Sequence, residues 1–95
     1  MTNVSSLTHA ISINPATGEQ IGHYPFESDS ALQAALSRPA DGFRVWRSTA
    51  VAQRSQLLIA LAQALRGNAA AMANMITLEM GKPITQARGE IEKCA

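Results

Sequence analysis

The sequence predicts a mainly α-helical chain that opens with a β-hairpin. Three observations carry this. Ile11 and Ile13 alternate with Ser12 ahead of a turn-forming stretch, Asn14-Pro15-Ala16-Thr17-Gly18-Glu19. Leu58, Leu61, Ala62 and Leu65 recur at i, i+3, i+4 and i+7, the spacing of one helical face. Gly67-Asn68 and Gly81-Lys82-Pro83 each read as the end of one helix and the start of the next.

The elements follow in order. Met1 to His9 is polar, without a basic start or an apolar stretch, and reads as a flexible arm over 1–9 rather than a signal peptide. The folded unit is expected over 10–95. In the hairpin, Pro15 presets φ near −65°, Asn14 can bond to its own backbone, and Gly18 can take a positive φ without steric cost. Ile21 resumes the extended run and Pro25 closes it. A two-stranded ribbon is marginal alone and needs a larger partner.

Ser28 is the expected N-cap of the first helix, with Asp29 favoured at the positive end of its dipole. Leu32, Ala35, Leu36, Phe43 and Trp46 suit one face. Pro39 lacks the backbone donor and clashes with the carbonyl four residues back, at about 3 kcal/mol, so a kink or break is expected there. Thr49 is the expected N-cap of the second helix. Gly67 is expected to end that helix in the left-handed conformation, and Asn68 to cap the third, which runs through Met72, Met75, Ile76 and Met80. Gly81 ends the third helix and Pro83 opens the last at its first helical position. There Ile84, Ala87, Ile91 and Cys94 form an apolar stripe, while Gln86, Glu90 and Lys93 share another face. This pattern carries no stop signal before Ala95, so the helical pattern is expected to outrun the chain.

Composition limits the function classes. Apolar residues make up 46% of the ninety-five, but much of that is alanine, and small side chains bury little area against an ordering cost of roughly 1–2 kcal/mol per residue. Independent stability is not expected. Eight basic residues against seven acidic leave a formal net charge of +1, scattered without a stripe, which speaks against nucleic acid or anionic lipid as partners. The longest apolar run, Leu57 to Ala62, is far short of the ~20 residues that span a bilayer. A cytoplasmic, reducing location is expected for a chain whose one cysteine, Cys94, has no internal partner.

Catalytic chemistry is not expected within these residues. His9, His23 and Cys94 are far apart in sequence and form no metal-ligand spacing. Gly81-Lys82 lacks the upstream glycine of a phosphate-binding loop, and there is no Gly-x-Gly-x-x-Gly run for a dinucleotide. Cys94 as a nucleophile needs a neighbouring base or a helix N-terminus and has neither; its place on the apolar stripe favours burial. Met72, Met75 and Met80 are expected to fill core gaps, and the histidines to be solvated.

Ile13-Asn14-Pro15-Ala16-Thr17-Gly18-Glu19, Phe43-Arg44-Val45-Trp46, and Glu79-Met80-Gly81-Lys82-Pro83 followed by Ala87 and Glu90 together resemble, in order and spacing, the opening of the NAD(P)-dependent aldehyde dehydrogenases. Within that family the chain looks most like the bacterial succinate-semialdehyde dehydrogenases. The resemblance implies an N-terminal part of the α/β aldehyde dehydrogenase fold, beside the cofactor-binding domain, covering about a fifth of a typical member. It implies NAD or NADP as cofactor of the full-length enzyme, with no cofactor-binding or catalytic residue here. The thiolate that attacks the aldehyde and the groups assisting it would lie beyond Ala95. The implied partners are the remainder of the chain and, at full length, further copies of it. The family's last helix here borders the substrate tunnel, which makes Gln86 and Glu90 candidates for its mouth. Pro39 departs from the family, falling where it runs helix. A competing expectation is a small helical interaction module docking through Leu58, Leu61, Leu65, Met72 and Ile76.

Overall fold

The computed structural model describes residues 8–95, so residues 1–7 of the expected arm lie outside the described residues. The elements are β1 (His9–Ile13), β2 (Gln20–Pro25), α1 (Asp29–Arg47), α2 (Val51–Gly67), α3 (Ala69–Met80) and α4 (Ile84–Cys94). This is the mainly helical architecture with an N-terminal hairpin that the sequence predicts.

β1 and β2 pair antiparallel, from His9 opposite Pro25 to Ile13 opposite Gln20, with an irregularity between Ser12 and Ile13. The turn closes as its residues dictate. The Ala16 N–H donates to Asn14 Oδ1 at 2.9 Å, the Gly18 N–H donates to the Asn14 carbonyl at 2.8 Å, and Gly18 takes φ 77°.

Ser28 caps α1 by accepting from the Ala31 N–H at 3.1 Å. Pro39 does not break the helix, which continues through it to Arg47. The lost hydrogen bond falls on an exposed helix with no buried residue, where water can satisfy the freed carbonyl. Thr49 is not the N-cap of α2. Ala50 holds that position without a side-chain bond, and the Thr49 hydroxyl donates back to the Val45 carbonyl at 2.9 Å, closing α1 instead. Arg54 fastens the corner. Its Nε donates to the Thr49 carbonyl at 2.9 Å, its Nη2 donates to the Arg47 carbonyl at 3.2 Å, and its guanidinium lies 5.6 Å from the Trp46 ring centre.

Gly67 is the last residue of α2 and keeps a negative φ, so the expected left-handed end is absent there. Asn68 supplies the reason: its Nδ2 donates to the Ala64 carbonyl at 2.8 Å, capping the end of α2 rather than the start of α3. Gly81 does end α3 in the left-handed region, at φ 70°. Pro83 precedes α4 at its cap, one position earlier than expected.

The core lies between α3 and α4. Ala73, Ala87 and Ile91 are buried, with Leu65, Ala69 and Ile76 packed against them. Arg66 Nε to Glu92 Oε1, at 3.0 Å, ties α2 to α4 from outside. The rest of the apolar surface is open. Met72, Met75 and Met80 are exposed rather than gap fillers, as are Leu58, Leu61, Phe43 and Trp46. A compact domain of this size has a radius of gyration near 12 Å; this chain measures 18.2 Å. Its accessible surface is 7793 Å², against about 5,300 Å² for a compact folded chain of equal mass.

Candidate functional site

α4 carries the expected site residues. Pro83 fixes its start, and Ala87 and Ile91 bury one face against α3. On the flank of that face, about 100° round the helix, Gln86 and Glu90, one helical turn apart, line an open groove with Lys82, Gly89, Lys93 and Cys94. The structure thus brings together the two residues the sequence singles out.

Lys82 and Lys93 give the groove its electrostatics. Lys82 Nζ donates to Glu90 Oε2 at 2.5 Å, with the two side chains 37% and 46% exposed. Glu90 is therefore an ion-paired carboxylate that holds the start of α4, not a free base. In the sequence Lys82 stands out only as part of the helix junction, with no role at the site. The available signal is its place one residue before Pro83, from which a long side chain spans two turns to position 90.

Cys94 is exposed, contrary to its expected burial, because none of the described elements covers the end of α4. It shares the groove with two lysines and a paired glutamate. The histidines are exposed, as expected, and they meet across the hairpin. His9 stands opposite Pro25 and His23 opposite Ile11, so both fall on one face of the hairpin, with ring centres 5.4 Å apart. Strand alternation is the signal that reveals this. Among the described residues, no three His, Cys, Asp or Glu side chains form a group able to hold a metal ion.

The groove does not fit a pyrophosphate. Such a group sits on free backbone N–H donors at a helix start reached over glycine. At α4, Pro83 has no donor, and the Pro15 ring lies so close to Gly81 that a Cβ there would be 3.2 Å from Pro15 Cγ.

The two motifs furthest apart in sequence meet at this end of the molecule. Besides the Pro15–Gly81 approach, Ser12 Oγ donates to Glu79 Oε1 at 2.8 Å. The hairpin turn is thereby set on the junction between α3 and α4. Among the described residues, no helix is long and apolar enough to cross a membrane.

Comparison with known proteins gives this geometry a context. The model of the aldehyde dehydrogenase family matches residues 2–95. The NAD(P)+ succinate semialdehyde dehydrogenase Sad of Escherichia coli is 49% identical over 92 residues, covering 97% of this chain and 20% of the relative. An NADP+ succinate-semialdehyde dehydrogenase of Mycobacterium avium is 44% identical over 84 residues, 87% of this chain and 18% of the relative. Malonate-semialdehyde dehydrogenase 2 of Shouchella clausii is 34% identical over 80 residues, 84% of this chain and 16% of the relative. The chain spans about a fifth of the length of these relatives.

Proposed function

The chain belongs to the aldehyde dehydrogenase family, and from that premise we propose that it is the N-terminal portion of an NAD(P)-dependent enzyme oxidising succinate semialdehyde to the carboxylic acid. The observation that carries the substrate is the 49% and 44% identity to two succinate semialdehyde dehydrogenases, against 34% to the malonate semialdehyde enzyme. NAD or NADP would be bound by the rest of the protein. In this reading the ninety-five residues are a docking and framing element, without catalytic activity alone, and the whole protein is cytoplasmic and associates with copies of itself.

The apolar surface supports this division of labour. Leu58 and Leu61 of α2, Met75 of α3 and Phe43 of α1 are each more than half exposed. The excess of total accessible surface over a compact chain, on the order of 2,500 Å², leaves room for an extensive contact. We assign that contact to the remainder of the dehydrogenase chain.

Gln86 and Glu90 are assigned to the mouth of the substrate path, with Lys82 holding Glu90 in place. The test is steady-state kinetics of the intact protein. kcat/KM should be higher for succinate than for malonate semialdehyde, and Gln86→Ala and Glu90→Ala should each raise KM. A preference for another aldehyde would overturn the substrate; unchanged KM in both variants would overturn the tunnel assignment.

A further inference from the structure

We infer that the hairpin is a latch on the junction between α3 and α4, with Ser12 and Glu79 as positioning residues that set the direction of α4. Two independent contacts make the latch. The first is polar: Ser12 Oγ donates to Glu79 Oε1 at 2.8 Å, across 67 residues of sequence. The second is steric: the Pro15 ring sits over Gly81, leaving no room for a Cβ without displacement. Both converge on a junction of only three residues between helices, Gly81 to Pro83.

The junction needs such a contact. Gly81 is a conformationally permissive residue, and Glu79 lies only two residues before it. Ala87, at the end of the first turn of α4, and Ile91, one turn on, pack the helix against α3, but the buried core does not include the junction Gly81 to Pro83. The latch adds a constraint at the root of the helix. Pro15 and Ser12 are themselves held rigidly, by the Asn14-centred turn and by the pairing of Ser12 with Gly22. The groove residues Gln86 and Glu90 lie one and two turns beyond the junction, so their placement follows the latch. That last consequence rests on the proposed role of the groove, whereas the latch itself does not.

The experiment measures backbone hydrogen exchange in the intact protein across 81–90, together with aldehyde KM. Ser12→Ala and Glu79→Ala each remove one partner; Ser12→Thr and Glu79→Gln keep a donor and an acceptor. Exchange across 81–90 should quicken about 2- to 10-fold in each alanine variant, the range that one net hydrogen bond gives. The double alanine variant should be no faster than either single one, and the threonine and glutamine variants should stay near wild type. Exchange that is unchanged in both alanine variants, or equally faster in the conservative ones, overturns the latch. KM separates the two ideas. Faster exchange with a raised KM and an unchanged kcat supports the latch and the groove together. Faster exchange with an unmoved KM upholds the latch and removes the groove reading.

Discussion

Replacing Gly81 by alanine tests the α3–α4 junction most sharply. Gly81 sits at φ 70°, in the left-handed region, where an L-residue with a Cβ costs roughly 1–2 kcal/mol. A Cβ there would also stand 3.2 Å from Pro15 Cγ, so the ring must shift by a few tenths of an ångström or the latch must open. Together these set a loss of about 1–3 kcal/mol. Gly42 is the internal control. It lies within α1, has a negative φ and nothing within 4 Å of an added Cβ, so Gly42→Ala should gain about 0.5–1 kcal/mol. Urea unfolding of the intact protein, followed by circular dichroism, should order the midpoints Gly42→Ala, wild type, Gly81→Ala. Gly81→Asn, which tolerates the left-handed region better, should fall between wild type and Gly81→Ala. A midpoint for Gly81→Ala at or above wild type would refute both the left-handed strain and the Pro15 contact.

Three further outcomes follow from the same geometry. Ile91, 5% exposed in the small core, should cost about 2–3 kcal/mol as Ile91→Ala, at the low end for such truncations because the site is only partly enclosed, read as a lower urea midpoint. Lys82→Met breaks a pair whose side chains are 37% and 46% exposed, and should change stability by less than about 1 kcal/mol by the same titration. Pro39→Ala restores a backbone donor within an unbroken α1 and should stabilise that helix by up to about 3 kcal/mol, seen as slower amide exchange over 35–43.

The architecture was legible in the sequence wherever local chemistry decides it. Asn14, Pro15 and Gly18 define the turn without outside help, Ser28 caps α1, and Gly81 ends α3 through its own φ. Where two local preferences compete, the sequence misleads. Thr49 can cap forward or bond back to Val45, Asn68 can cap α3 or close α2, and both chose the helix behind them. Pro39 carries an intrinsic cost that an exposed helix tolerates, so its effect depends on surroundings the sequence does not display. Apolar spacing failed for Met72, Met75, Met80 and Cys94 for a further reason. A helical stripe marks a face that wants covering, not one that is covered within these residues. The site was legible in half. Gln86 and Glu90 share a face by helical period alone, but the pairing of Glu90 with Lys82 and the meeting of Ser12 with Glu79 are tertiary contacts that no local pattern encodes.

The central claim is that these residues are one part of a longer dehydrogenase whose remaining chain covers the open apolar faces. The intact mass of the protein as it occurs in the cell tests this most directly. A mass several times the 10.1 kDa of this chain is the predicted result. A mass of 10.1 kDa would contradict it, leaving a product without the rest of the enzyme.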